Sequence, residues 1–340
     1  MRLQRELQVR RGRQRQLEFL EKLTGPAIAR IVKTAFPARG SLAAMTRAPA
    51  ISEIAPLLIG VQTHPERDVS LDSLANEHGY SPSHFHRLFT EAVGETPKAH
   101  VERVRLERAA YRLSVTRESV LDIALSVGFQ NHETFSRAFK RRFSYTPTAW
   151  RRASIASQTQ WVERNRLVRH DGCDLSEVSF LTLKPMTLLA MRRMGQYGTF
   201  GAPDFDGGPS EWSPLFEMAR SRRLPFRRLA MVICYDSPTL TPPHLQALDA
   251  CVPLARPEGA PRKGNVRRLD FTGGLYGAIE HRGPVRTLEH AYRTLAFGIN
   301  RSGRFVLRDG PPLEILRELS IDGDPNKNLN EIYLPVEPVK

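Results

Sequence analysis

Cysteine is scarce in this chain. Three occur in 340 residues, Cys173, Cys234 and Cys251, and their spacing matches no metal site. So sparse and odd a count excludes a disulfide framework and suits a reducing cytoplasm. Long apolar runs are missing as well. The longest lies around Leu229–Tyr235, far short of the ~20 residues that a membrane helix needs. The N-terminus has arginines but no apolar stretch behind them, so it does not read as a secretory signal. No distinctive Ser-His-Asp order is present, and the ten histidines avoid zinc-ligand spacing. His84 and His86 therefore read as surface polar groups. The loop GAPDFDGGP at 201–209 lacks the Lys-Ser/Thr pair of a phosphate cradle and reads as a plain flexible loop. No cofactor is expected from any of these patterns. Acidic residues are outnumbered 36 to 50, a formal net charge of +14. That balance favours a polyanionic partner without separating nucleic acid from a membrane surface. The charge is uneven: residues 1–50 carry +8, residues 51–100 carry −4, and residues 101–152 carry +6.

What is present begins with residues 119–150. Val120, Ile123, Ala124 and Val127 recur at helical spacing. Gly128 then ends the helix, because glycine alone turns there without a Cβ penalty. Asn131 is a good N-cap for a second helix. That helix buries Phe135, Phe139 and Phe143 and shows His132, Glu133, Ser136, Arg137, Lys140 and Arg141 on its other face. Two helices joined by a tight glycine turn, the second basic outside, form a helix-turn-helix. Such a face suits double-stranded DNA: Arg137 can hold guanine O6 and N7, and Glu133 can accept from a cytosine amine. The competing reading is an ordinary surface helix with solvated charges.

The unit occurs twice. In residues 69–100, Leu74, Ala75, Gly79 and Tyr80 match Ile123, Ala124, Gly128 and Phe129. Phe85, Arg87 and Phe89 match Phe135, Arg137 and Phe139, and Thr96-Pro97 matches Thr146-Pro147. A helix over 51–64 precedes the first unit. A linking helix from Pro97 to Leu113 joins the two, with Arg103, Arg105, Arg108 and Arg112 expected to point outward along phosphates. Two such units, with the run GFQNHETFSRAFKRRFSYTPTAWR, resemble the AraC/XylS family of bacterial transcription regulators over about residues 50–152. The expected readers are Ser83, His86 and Arg87 in the first unit, and His132, Glu133, Thr134 and Arg137 in the second. Lys140 and Arg141 add to the basic face of the second. Both units in one chain should occupy successive major grooves about 34 Å apart.

Residues 1–48 contain leucines in a loose helical period but also Pro26, Pro37 and Gly40, and no core can be built from them alone. They read as a basic, poorly ordered segment, with Met45 a candidate start; the alternative is an arm that tracks phosphates. Residues 153–175 are polar and read as a linker. From 176 onward VSFLTL, MTLLAMRRM, LAMVICY, VRRLDF and LYGAIEH read as strands, and SEWSPLFEMARSRR and RTLEHAYRTLAFGI as helices. LLAMRRMGQY aligns with YGAIEHRGPV, which places Gly195 on Gly283. A βαββ unit used twice gives an α+β domain with one antiparallel sheet.

The motifs EHRGP, LEHAYRTL, LRDGPPLEI and EIYLPV resemble the GyrI-like small-molecule-binding domain over about residues 177–337. With the first resemblance, this is similar to the Rob-like subgroup of regulators. Leu316 stands where that family often has an aromatic residue, and Phe297-Gly298-Ile299 where it often has a tryptophan. The expected architecture is thus an all-α, homeodomain-like part with two helix-turn-helix units, followed by a duplicated βαββ sheet domain. The expected function is a cytoplasmic transcription regulator that senses a small molecule and is not an enzyme. RNA polymerase stays open as a further partner, and no membrane is expected. The resemblance implies an acidic pocket residue at Glu314, with Glu331 and Glu280 as secondary candidates. Tyr235, Tyr276 and Trp212 are the expected aromatic walls, suited to a lipophilic cation. If Leu313 and Ile315 pack under the helices, Glu314 faces the concave side. Two alternatives remain: a hydrolase of reactive electrophiles using Glu314 with an aromatic residue, and a protein-interaction module.

Overall fold

A computed structural model describes residues 48–67, 75–76, 79–155, 172–197, 203–206, 210–318 and 328–339. The expectations for residues 1–47, for Leu74 and for most of the polar linker lie outside these. The described residues divide into two compact units. One comprises residues 109–155, and the other joins residues 48–108 to the C-terminal part. The division falls inside the linking helix, between Arg108 and Ala109.

Five helices build the N-terminal half. They are α1 (Ala48–Thr63), α2 (Pro82–Val93), α3 (Pro97–Val115), α4 (Val120–Ser126) and α5 (His132–Phe143). Local chemistry sets their ends. The Ser81 hydroxyl accepts from His84 N, Pro82 takes the first turn, and Gly94 closes α2 in the left-handed region. The Asn131 carbonyl accepts from Thr134 N at 2.8 Å to start α5. Between α4 and α5, Gly128 has φ +92°, which a side chain would strain.

In the smaller unit, Phe135, Phe139 and Phe143 are buried in a row, with centroid distances of 5.4 and 4.7 Å. Trp150 meets Phe143 at 5.0 Å and donates its indole N–H to Ala110 O and Ser114 Oγ. Arg112 is buried against Glu118 and Ser126. In the larger unit, Ile54, Leu58, Phe85, Phe89, Val101 and Val104 form one apolar core, which also takes in Leu245 from the C-terminal part.

The expected outward arginines of α3 are a correction. Arg103 is 4% exposed, between Glu95 and Glu107. Arg105 donates to the carbonyls of Pro65 and Arg67, and Arg108 pairs with Asp309 at 2.9 Å. Helical spacing alone put them on an outer face, but carboxylates and carbonyls of neighbouring segments engage all three.

The C-terminal part is one antiparallel sheet carrying two helices. Its strands are β1 (Asp174–Leu175), β2 (Ser179–Leu183), β3 (Met186–Met194), β4 (Ala230–Cys234), β5 (Ala247–Pro253), β6 (Val266–Phe271), β7 (Gly274–Arg282), β8 (Phe305–Leu307), β9 (Leu313–Glu318) and β10 (Leu329–Pro338). Its helices are α6 (Ser213–Ser221) and α7 (Leu288–Arg301). The main order is β1-β7-β10-β9-β4-β5-β3-β6. The two βαββ copies, β3-α6-β4-β5 and β7-α7-β9-β10, meet where β4 pairs antiparallel with β9. Gly195 and Gly283 both have positive φ, at matching places in the two copies.

Both helices lie on one face of this sheet. Leu215, Phe216 and Ala219 of α6 pack on Leu189, Met191, Val232 and Ala250. On α7, Leu295 and Ile299 press so closely on Gly277 that a Cβ there would lie 2.7 Å from Ile299. Strand alternation then assigns the rest. Val232, Glu314 and Ile332 are register partners and share the helix-bearing face. Leu313 and Ile315 belong with Leu188, Met231, Tyr276 and Tyr333 on the opposite face. Leu313 and Ile315 were the two residues expected beneath the helices. The structure reverses that expectation: Glu314 is the one beneath them.

Candidate functional site

Two places gather functional chemistry. The first is the outer face of α5. His132, Glu133, Thr134, Arg137, Lys140 and Arg141 are all exposed there, opposite the buried phenylalanine row. The row fixes the helix, and the cap at Asn131 fixes its first turn. The exposed side chains are thus presented on a rigid rod that fits a major groove. On α2, Ser83, His86 and Arg87 are likewise exposed. Arg87 Nη2 lies 3.3 Å from His84 Nδ1, which leaves the guanidinium near the start of the helix. His84 also lies against the Tyr80 ring, tilted with centroids 5.3 Å apart, as a surface polar group.

The second place is the helix-bearing face of β9 beneath α7. The Tyr292 hydroxyl on α7 donates to Glu314 Oε1 on β9 at 2.7 Å. Burial pushes the Glu314 carboxyl above its usual range, and the Tyr292 bond pulls the other way. Burial also pushes the Tyr292 hydroxyl well up, with Glu314 adding to it. Yet Glu314, Tyr292 and Tyr197 all keep some accessible surface. Groups that are deeply surrounded but still accessible are groups that line a recess. Cys234 stands beside Tyr292 and Glu314, its thiol pushed well up by burial.

The other expected pocket residues do not converge on Glu314. Trp212 is fully buried in the core beneath α6. Tyr276 lies on the opposite face, with Arg308 over its ring at 5.7 Å. Tyr235 also lies with that cluster and donates to Asp249 Oδ2 at 2.8 Å. Glu331 is held by Arg317 at 2.7 Å and by Tyr333, and Glu280, its register partner on β7, is exposed. Arg317 and Arg308, the arginines nearest to Glu314 in the sequence, are thus engaged elsewhere. Among the described residues no metal-binding cluster of His, Cys, Asp and Glu occurs, and no helix is long and apolar enough to cross a membrane.

Sequence reasoning missed a buried ion network on the helix-free face. Arg192 and Asp249 are register partners on β3 and β5, joined at 2.8 Å with neither side chain exposed. Arg267 reaches the same carboxylate at 2.6 Å, and the Arg192 guanidinium lies 4.4 Å over the Tyr235 ring. Burial alone raises the Asp249 carboxyl, but the two arginines outweigh it and hold it well below the usual range. The signal was charge set within apolar strings: Arg192, beside Arg193, in LLAMRRM and Asp249 in ALDACVP.

Comparisons with known proteins agree with this layout. A family described as a helix-turn-helix domain matches residues 74–153, and the GyrI-like small molecule binding domain matches residues 176–337. The transcriptional regulator Rob of Salmonella typhimurium is 41% identical over 101 residues, 30% of this chain and 35% of that protein. This chain thus spans about a third of that relative's length. The probable transcription factor PqrA of Proteus vulgaris is 38% identical over 97 residues, 28% of this chain and 80% of that protein. A crystal structure of a transcriptional regulator from Chromobacterium violaceum, described by its AraC-type DNA-binding domain, is 28% identical. It covers 32% of this chain and 96% of its own, with a TM-score of 0.29. With exposed polar faces on α2 and α5 and a separate sheet that carries two helices, the chain belongs to the AraC-type helix-turn-helix family and carries a GyrI-like small-molecule-binding domain.

Proposed function

We propose that this protein is a transcription regulator that reads specific DNA through α2 and α5 and binds a small molecule at the Glu314 recess. The observation that carries the ligand half is the Glu314–Tyr292 pair, surrounded by protein yet still accessible. A carboxylate in such a place is costly unless a cation or donor meets it. A lipophilic cation supplies both the charge and the apolar surface. In this reading the protein is a binding protein of the cytoplasm, needs no cofactor, and has RNA polymerase as a further partner.

Two results test it. Arg137→Ala should cost about 1–3 kcal/mol on the preferred DNA and relax one base position. Competition binding with single-base variants of the site measures this. Equal weakening on every sequence would reassign Arg137 to a phosphate.

At the recess, Glu314→Gln should weaken a dye-like lipophilic cation by at least ~1 kcal/mol, the loss of a charge-assisted contact. Because burial raises the carboxyl, binding of the cation and loss of the carboxyl proton are linked. Affinity should therefore rise with pH through that titration in the wild type and stay flat in the variant. Equal affinity for both proteins removes Glu314 from the site. The same Tyr292–Glu314 pair is also what a hydrolase of reactive electrophiles would use. Steady turnover of such a compound by the full chain, lost in Tyr292→Phe, would rank catalysis above sensing.

A further inference from the structure

The loop from β4 to β5, residues 235–246, joins the Glu314 recess to the first helix-turn-helix unit. It leaves β4 directly after Cys234, the thiol beside Tyr292. Its base is tied by short bonds. Asp236 Oδ2 accepts from Ala247 N at 2.6 Å. The Tyr197 hydroxyl accepts from Asp236 N at 2.9 Å and donates to Ala247 O at 2.7 Å. Tyr197 therefore belongs to the recess and to the loop at once. Beyond the base, the loop is bonded to the N-terminal helices. Asp236 Oδ1 accepts from Gln62 Nε2 of α1 at 2.8 Å, and the Thr241 hydroxyl donates to Glu107 Oε2 of α3 at 2.7 Å. Gln62, Thr241 and Glu107 are all buried, and Leu245 is part of the core that holds α2. Burial raises the Asp236 carboxyl to about 6, Arg103 of α3 draws it down, and Glu107 raises it, so its charge depends on where α3 stands.

We propose that the 235–246 loop transmits occupancy of the recess to α1 and α3, and through their shared core to the reading helix α2. This rests on the reading of Glu314 as ligand-facing, and it assigns the regulation of that site. A ligand against Tyr292 and Tyr197 displaces the hydroxyl that closes the base of the loop. The loop cannot follow alone, because leaving α1 and α3 breaks the buried Gln62–Asp236 and Thr241–Glu107 bonds. Thr241 and Gln62 are positioning residues in this scheme and touch no ligand.

The test is hydrogen exchange on the full chain at pH 8, without ligand, comparing wild type with Glu314→Gln. Exchange over residues 55–63 and 97–108 should change by at least about threefold, and that over 132–143 should not change. The response should vanish in a Thr241→Val background and return in Thr241→Ser, which keeps the hydroxyl. If Glu314→Gln does not fold, Tyr292→Phe perturbs the recess from its other side. A response confined to residues 230–234, 288–301 and 313–318 overturns the proposal, and so does one that survives Thr241→Val. Calorimetric titration with tetraphenylphosphonium is a separate arm. Absence of binding there removes the ligand reading, while the exchange result still decides the coupling.

Discussion

Asp249→Asn should destabilise the larger unit by roughly 3–5 kcal/mol, the usual cost of stranding a buried charge. Two guanidinium groups converge on that one carboxylate, Arg192 at 2.8 Å and Arg267 at 2.6 Å. Arg192 and Asp249 are completely buried, and Arg192 Nη1 already has no hydrogen-bond partner among the described residues. Removing the negative charge leaves a net positive cluster between β3, β5 and β6 with no solvent to screen it. The pH dependence has a definite sign. The folded carboxyl lies below its unfolded value of about 3.9. Its stabilisation is therefore fully present above that pH and is lost as the pH falls through the folded value. The gap between wild type and variant should stay flat from about pH 5 to 8 and shrink below about 4. Denaturant unfolding at several pH values measures both. A loss under ~1 kcal/mol at pH 7 would mean that water reaches the cluster. Replacing all three charged residues by apolar ones of similar size should cost far less than Asp249→Asn alone, since burying an ion pair is itself expensive.

The same residues show how far the sequence could be read. The phenylalanine row on α5 was legible because a helix repeats its face locally: Phe135, Phe139 and Phe143 need no distant partner to declare themselves. The duplicated Gly195 and Gly283 were legible for the same reason, each marking a turn within its own copy. Asp249 and Arg192 were not, because strand register brings them together across 57 positions. Strand alternation around Glu314 showed that it opposes Leu313 and Ile315, but alternation does not say which face carries helices. The pocket walls were therefore drawn from both faces, Trp212 from one and Tyr235 and Tyr276 from the other. Tyr292 was within reach, since it shares a helical stripe with Leu295 and Ile299. The arginines of α3 failed for another reason. A basic stripe beside a DNA-reading unit looks solvated until Glu95, Glu107 and Asp309 are seen to face it.

Phe139→Ala should unfold the second helix-turn-helix unit and abolish reading of its half of the DNA site. The side chain is fully buried and touches Phe135, Phe143 and Trp150, with centroids 5.4, 4.7 and 5.9 Å away. Truncating a phenylalanine in such a position costs about 3–5 kcal/mol, counting both the lost transfer energy and the cavity. A compact unit of this size has little reserve against that loss. Its polar ties include the Trp150 indole bonds to α3, Arg112 against Glu118 and Ser126, and Arg151 donating to Glu118 O at 2.6 Å. Hydrogen exchange should show residues 120–143 losing protection while residues 82–93 keep theirs, because α2 belongs to the other core. Band-shift assays should then lose the sequence preference of one half-site and keep that of the other. Arg137→Ala is the control. It sits on the same helix, is exposed, and should alter base preference with protection intact. If Phe139→Ala keeps full protection over 120–143, the aromatic row is not what holds α5 in place, and the rigid presentation of its outer face needs another cause.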